Sequence, residues 1–243
     1  DAPTHKQDAY ATVDAYATRY IVIFFFLSLL SIRKRKIIMI SPDWQTLSQK
    51  RGANLPHWKC RNAVYHVSFR LTDSIPREIR EKWSEERRLL SNFAATKRGR
   101  LGKDEQDRLE KLFSRKVEAF LDQAHGECLL ENPEVADIVK NALHHFNGTR
   151  YVLHAWCIMP NHVHVITEPL AGWELSNIVH SWKSYTANKI NRLLGRKGQL
   201  WQHEPYDHII RSEREYRELI EYVWNNPDNA GLANCPRWRI DQD

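Results

Sequence analysis

The chain has 243 residues, with 36 Lys and Arg against 30 Asp and Glu, which gives a formal net charge of +6 at pH 7. That length suits one ordinary domain, or one domain with an insertion. Hydrophobic residues make up 42% and charged residues 27% of the chain. This composition excludes gross disorder, collagen-like repeats and a multi-span membrane protein. The four cysteines contain no CxxC pair, which argues against a zinc ribbon and fits a reducing cytoplasm.

Residues 1–38 differ from the rest of the chain and carry half of its net positive charge. Their apolar run, residues 21–30, is followed by four basic residues at 33–36. The run is short for a membrane span, which needs about 20 apolar residues. Its basic flank follows the run, the reverse of a signal peptide. A membrane-proximal anchor, an ordered apolar arm and translated upstream sequence before Met39 remain open; we favour the last and treat residues 39–243 as a single domain.

The residue pattern of the main domain predicts an alternation of strands and helices. In chain order, the predicted elements are a strand at 64–70, helices at 76–93 and 104–123, a helix from Asn132 to Gly148, strands at 150–157 and 162–167, a helix at 175–194, a short strand ending at Ile210, and a last helix from Ser212 to about Pro227. The helical pair at about 76–123, whose basic tip has no predicted role, is an insertion. Without it the order is βαββαβ with an extra helix, which predicts a ferredoxin-like α+β antiparallel sheet with helices on one face.

The strongest chemical signal is His162-Val163-His164. Residues two apart on a strand point to the same face, so the two imidazoles are expected side by side while Val163 points to the core. Such a pair binds a divalent metal when a third ligand arrives from elsewhere in the fold. A pair of surface or hydrogen-bonded histidines is the alternative.

A partner for this pair is predicted on the last helix. Tyr222 and Asn226 lie one turn apart beside its apolar stripe, where both side chains reach one cleft. The alternative is that Tyr222 packs at the boundary of the core and Asn226 caps the helix, which Pro227 is expected to stop. Tyr185 competes for the tyrosine role, but its place in an apolar stripe with Trp182 favours a core residue.

Cations and aromatics follow the histidine hairpin in the sequence. Interleaved residues of this kind suit single-stranded or looped nucleic acid, through phosphate pairing and base stacking. The predicted nucleic-acid-binding residues are Lys183, Arg192, Trp201, His208 and Arg211. A solvated helix face is the alternative interpretation of the same residues.

Five motifs, taken together in their order along the chain, resemble those of one protein family. They are Met-Pro-Asn-His-Val-His at 159–164, Trp-Lys-Ser-Tyr-Thr-Ala at 182–187, Gly-Gln-Leu-Trp at 198–201, Asp-His-Ile-Ile-Arg at 207–211, and Tyr222-x-x-x-Asn226-Pro227 followed by Ala-Gly-Leu at 230–232. The series resembles the REP-associated tyrosine transposases, relatives of the single-tyrosine insertion-sequence transposases within the HUH endonucleases. The resemblance covers about residues 55–232.

This resemblance implies a site and an activity. The HUH histidines are His162 and His164, the nucleophile is Tyr222, and Asn226 is the third metal-side group. The implied cofactor is a divalent metal, Mg²⁺ or Mn²⁺. The implied reaction is cleavage and rejoining of single-stranded or hairpin DNA, such as a REP element, through a 5′-phosphotyrosine. We further expect a cytoplasmic, nucleoid-associated monomer with no small-molecule cofactor and no stable membrane partner. A domesticated DNA- or RNA-hairpin-binding protein without turnover, and a phosphodiesterase that uses water, are the rival functions.

Overall fold

The computed structural model describes residues 42–51, 56–98 and 103–242. The predictions for residues 1–38 and for the basic tip at 97–103 concern residues or side chains outside the described structure. Within the described ranges, no helix combines the length and hydropathy needed to span a bilayer.

Strands and helices alternate in the order that the sequence predicts, with three further strands. The elements are β1 (Asp43–Arg51), β2 (Pro56–Arg61), β3 (Tyr65–Arg70), α1 (Arg77–Arg98), α2 (Lys103–Leu121), α3 (Pro133–His145), β4 (Tyr151–Ile158), β5 (His162–Pro169), α4 (Leu175–Leu193), β6 (Tyr206–Ile209), α5 (Glu213–Asn229) and β7 (Arg237–Arg239). Two predicted helix starts are confirmed. The Asn132 side chain accepts a hydrogen bond from the Glu134 N–H, and the Ser212 side chain accepts one from the Glu215 N–H.

The central sheet confirms the predicted ferredoxin-like α+β fold. Its strand order is β6-β3-β5-β4-β7, and every neighbouring pair is antiparallel. The helices α3 and α4 cross over between strands as a βαββαβ order requires, and the α1–α2 pair is inserted after the first of these strands. Outside the prediction, β7 adds a strand beside β4, and β1 with β2 forms a separate two-stranded sheet.

The two faces of the sheet differ in what covers them. One face buries Val163 and Val165 in an apolar core with side chains from α3 and α4. The other face carries His162 and His164, which are also fully buried. Helix α5 covers this second face, because its Tyr222 ring packs edge-on against His164. The prediction that the helices lie on one face is therefore correct for the two crossover helices and wrong for α5, which lies on the opposite face because its Tyr222 packs against His164.

The end of α5 differs from the prediction that Pro227 stops the helix. The helix continues to Asn229, since a proline in the last turn removes only one backbone donor. Beyond the end of α5, side chains of β7 contact the same helix. Arg237 donates to the Trp224 carbonyl oxygen at 2.8 Å, and Arg239 donates to the Glu221 carboxylate at 3.0 Å. Both guanidinium groups also lie over the Trp224 ring, so the C-terminal strand fixes the end of α5 to the sheet.

Candidate active site

The histidine pair converges on one point. The Nε2 atoms of His162 and His164 are 3.0 Å apart. The other ring nitrogen of His162 lies 2.7 Å from Asn161 Oδ1, while Asn161 Nδ2 donates to the His125 carbonyl oxygen at 2.8 Å. Because that carbonyl fixes the orientation of the amide, His162 donates from Nδ1 and directs the lone pair of Nε2 at His164. Burial of both rings excludes the surface-pair alternative.

A third histidine, His66 on β3, orients the second ring. Its Nε2 lies 3.0 Å from His164 Nδ1, and the two rings stack with centroids 5.2 Å apart. Alternation along β3 places His66 on the histidine face of the sheet, but only the pairing of β3 with β5 brings it to His164. The sequence prediction missed this residue for that reason. A proton on His164 Nδ1, donated to His66, would leave the lone pair of His164 Nε2 free for a cation.

Burial keeps these rings neutral. It lowers the pKa of His162 to about 3, with a further contribution from the nearby Arg70 guanidinium. The pKa of His164 lies well below its usual value, first because of burial and then because of His162. Neutral imidazole is the form that binds a metal, so both rings are ready to act as ligands at neutral pH.

Helix α5 brings the predicted tyrosine and amide to the same place. The Tyr222 ring centroid is 5.5 Å from that of His164 and 6.1 Å from that of His66. Its hydroxyl is buried, and it has no hydrogen-bond partner among the described residues. Asn226 is 2% exposed, and its Oδ1 atom is likewise buried and unpaired. Buried polar atoms without partners are costly, so these two oxygens are suited to contact a ligand.

The insertion contributes two carboxylates that the sequence prediction did not place here. Glu118 and Asp122 lie one turn apart, at the C-terminal end of α2 and just beyond it. Burial raises the pKa of Glu118 to about 7, aided by Asp122, while Tyr222 and Arg115 act in the opposite sense. The pKa of the Tyr222 hydroxyl is raised above its ordinary value by burial and then by Glu118 and Asp122.

These residues fit a divalent cation. Two neutral imidazole nitrogens converge, and the buried Asn226 Oδ1 and Asp122 Oδ1 atoms have no hydrogen-bond partner in the described structure. Within the same residues, no group of three His, Cys, Asp or Glu side chains stands at the spacing of a metal site. The predicted third ligand is an amide, which such a group does not include. Nitrogen and oxygen donors of this kind suit Mg²⁺, Mn²⁺ and related ions.

A positive cluster adjoins the histidines. Arg70 pairs in register with His162, and its guanidinium donates to Ser74 at 3.0 Å. Its pKa is lowered to about 10, mainly by burial and further by Arg80 of α1. The Arg80 Nε atom is buried without a hydrogen-bond partner in the part of the chain that the structure describes. Two partly buried guanidinium groups that repel one another favour a bound anion between them.

Three of the predicted nucleic-acid residues are already engaged within the fold. Trp201 is 3% exposed, packs edge-on against Phe69 and donates from Nε1 to Thr186, so its ring offers no face to a base. Lys183 donates to two backbone carbonyl oxygens, of Gln202 and His203. His208 lies 2.8 Å from the Glu215 carboxylate.

The other two, Arg192 and Arg211, are exposed at the surface. Tyr185 is also exposed, at 51%, so its expected core role is wrong. The buried stripe of α4 passes through Trp182 and Thr186 instead, one turn apart, and leaves Tyr185 outside it. Since α4 covers the apolar face of the sheet, Tyr185 lies on the opposite side from the histidines and does not compete with Tyr222.

Comparison with known proteins finds relatives of part of the chain. Residues 129–226 match the family model described as "Transposase IS200 like", a segment that begins after the insertion and contains His162, His164, Tyr222 and Asn226. A REP-associated tyrosine transposase of Escherichia coli K12 is 28% identical over 82 residues, which cover 33% of this chain and 47% of that protein. The matched segment thus spans about half the length of this curated relative.

Solved structures include a REP-associated tyrosine transposase bound to a REP hairpin. The alignment with this structure has 15% sequence identity, covers 76% of the present chain and 75% of the solved one, and gives a TM-score of 0.39. Residues 129–226 therefore resemble the IS200-like transposases, and 82 residues of the chain resemble a REP-associated tyrosine transposase.

Proposed function

We propose that the protein cleaves and rejoins single-stranded DNA beside a hairpin of the REP type, through a 5′-phosphotyrosine on Tyr222. The observation that carries this proposal is the convergence, in one chain, of an unpaired buried tyrosine hydroxyl with two neutral imidazoles and an unpaired amide oxygen. Binding alone requires none of these groups. The resemblance of residues 129–226 to IS200-like transposases supports the same activity.

His162, His164 and Asn226 would hold the divalent metal, Mg²⁺ or Mn²⁺. When bound, such an ion polarises a phosphate and stabilises the charge that develops on its oxygens. Asn161 and His66 hold the two ligand rings in the orientation that exposes their Nε2 lone pairs. Arg70 and Arg80 would contact a neighbouring phosphate of the strand, because both are cationic, Arg70 adjoins His162 and Arg80 lies near Arg70.

Tyr222 must lose its proton to act as a nucleophile, since a phenol has an ordinary pKa of about 10. Burial and the two carboxylates raise that pKa further, so a base must lie beside the hydroxyl. Glu118 is the neighbour with a pKa of about 7, which suits proton transfer near neutral pH.

In the forward step, the Tyr222 proton passes to the Glu118 carboxylate, and the phenolate oxygen bonds to phosphorus. The bond from phosphorus to the 3′ oxygen breaks, and that oxygen takes a proton from solvent to become a free 3′-OH. In the reverse step a 3′-OH gives its proton to solvent and its oxygen bonds to phosphorus. The bond from phosphorus to the Tyr222 oxygen breaks, and Glu118 returns the proton to Tyr222. The phosphodiester energy is kept in the covalent link, so rejoining needs no nucleotide triphosphate.

One experiment separates this proposal from its rivals. Hairpin DNA with a single-stranded flank, radiolabelled on the 3′ side of the cleavage position, is incubated with the protein and Mg²⁺ and resolved on a denaturing gel. We expect a labelled protein–DNA band that is absent in Tyr222→Phe and in His162→Ala. Cleavage without a covalent band would indicate a phosphodiesterase that uses water, and hairpin binding without cleavage would indicate a binding protein.

A further inference from the structure

Helix α2 belongs to the insertion, outside the segment that matches the transposase family model. Its C-terminal end nevertheless reaches the histidine face of the sheet. Asp122, one residue past the helix, places Oδ1 at 3.8 Å from His162 Nε2. This oxygen is buried and has no hydrogen-bond partner within the described residues. A carboxylate oxygen in that position faces the nitrogen that the proposed function assigns to the metal.

Asp122 also lies near the Asn226 amide, on the other side of the site. Burial raises the pKa of the Asp122 carboxyl, and the neighbouring Asn226 side chain lowers it. The Asn226 Oδ1 atom is itself buried without a hydrogen-bond partner in the described residues. Two unpaired oxygens from two helices therefore accompany the two imidazole nitrogens of the sheet.

From this geometry we propose that Asp122 is a fourth metal ligand, supplied by the insertion. In the described structure His162, His164 and Asp122 do not stand at the spacing of a metal site, so the proposal requires the carboxylate to move toward the imidazoles when the ion binds. The inference rests on the proposed function, because it requires a cation at His162 and His164. A carboxylate adds the one negative charge to a donor set that otherwise consists of two neutral imidazoles and an amide. Hard cations such as Mg²⁺ and Mn²⁺ bind carboxylate oxygens in preference to neutral donors. The insertion thereby becomes part of the catalytic centre.

The test is Mn²⁺ binding by the full chain without DNA, measured by isothermal titration calorimetry. We expect Asp122→Asn, which keeps the size and polarity of the side chain, to weaken Mn²⁺ binding at least tenfold, as loss of a ligand or of its support does. Asp137→Asn is the matched control, since Asp137 is exposed on α3 and pairs only with the nearby Lys140. It should bind Mn²⁺ as the original chain does.

A second measurement separates loss of a ligand from loss of folding. Thermal unfolding in EDTA should give the same midpoint for Asp122→Asn and for the original chain to within a few degrees, and added Mn²⁺ should raise the midpoint less in the variant. If Asp122→Asn binds Mn²⁺ as tightly as the original chain while His162→Ala does not, Asp122 is not a ligand and the proposed function stands. If His162→Ala also binds as tightly, or the original chain binds no Mn²⁺, both the inference and the metal-dependent function are wrong.

Discussion

On β5, Val163 and Val165 turn toward the crossover helices and are buried among apolar side chains, whereas His162 and His164 turn toward α5 and are buried as deeply among polar groups. The apolar face gains free energy from every methylene removed from water. The polar face leaves oxygens of Tyr222 and Asn226 unpaired, which costs about 1–3 kcal/mol for each group. One strand thus carries stability on one side and the proposed chemistry on the other, and the apolar face offsets the cost of the polar one.

The sharpest test of this contrast compares one tyrosine from each side of the sheet. Tyr222→Phe should abolish the covalent DNA adduct, because it removes the buried hydroxyl that lies beside His164 and His66. Tyr185→Phe, on the exposed surface of α4, should leave the adduct unchanged. The gel described above measures both. Loss of the adduct in Tyr185→Phe alone would overturn the assignment.

Glu118→Gln should slow adduct formation about 100-fold or more, since the Tyr222 proton loses its acceptor. Single-turnover rates at pH 8 with saturating Mn²⁺ measure this. The exposed Glu78 on α1 provides the control, Glu78→Gln, for which we expect no change. Equal rates for the two variants would remove Glu118 from the mechanism.

The same residue makes stability depend on pH. The folded pKa of Glu118 is about 7 and its ordinary value is 4.5, so the folded state holds this proton more tightly than the unfolded state. Stability from this group is therefore complete below about pH 4.5 and declines as the pH rises to 7, by up to about 3 kcal/mol. Urea unfolding in EDTA at pH 5 and pH 8 should show a smaller decline in Glu118→Gln. An identical decline in both proteins would contradict the raised pKa.

On the apolar face, Val165→Ala should lower the free energy of unfolding by about 2 kcal/mol, through lost burial and a residual cavity. Its side chain is fully buried and points away from the histidines. Affinity for Mn²⁺ should stay within about threefold of the original value. Chemical denaturation and calorimetry on the same preparation check both statements, and a large loss of Mn²⁺ affinity would show that the two faces are not independent.

The smallest effect is expected at the exposed surface. Arg192→Ala should weaken hairpin binding a few-fold and reduce the salt dependence of log K by about one. Arg214→Ala is the control, because Arg214 is exposed but paired with Glu218. Fluorescence anisotropy over a range of salt concentrations gives both slopes. Equal slopes for the two variants would exclude Arg192 from the DNA interface.

Local patterns predicted the fold because alternation, capping and helical stripes are short-range signals. Two parts escaped them for physical reasons. Strand β1 is largely polar, and its register with β2 shifts between Asp43 and Ser48, so it lacks clean alternation. Strand β7 has three residues, too few to show a period.

The residues of the candidate site also fall into two groups, those visible in local sequence patterns and those brought together only by the fold. His162 and His164 lie two apart on one strand, and Tyr222 and Asn226 lie one turn apart on one helix, so each pair was visible in the sequence. His66, Arg80, Glu118 and Asp122 reach the site only through strand pairing and the packing of an inserted helix. Trp201 shows the opposite error, since an aromatic beside cations in sequence became a core residue.

The C-terminal strand β7 affects whether two copies of the chain can exchange helix α5. Because β7 pairs with β4 and holds α5 through Arg237 and Arg239, donating that helix to a second molecule would first require β7 to peel off the sheet edge. Tyr222 is thereby tethered to the histidines of its own chain. We expect a chain shortened before Cys235 to lose this tether and to form intertwined dimers, and we expect the intact chain to be a monomer.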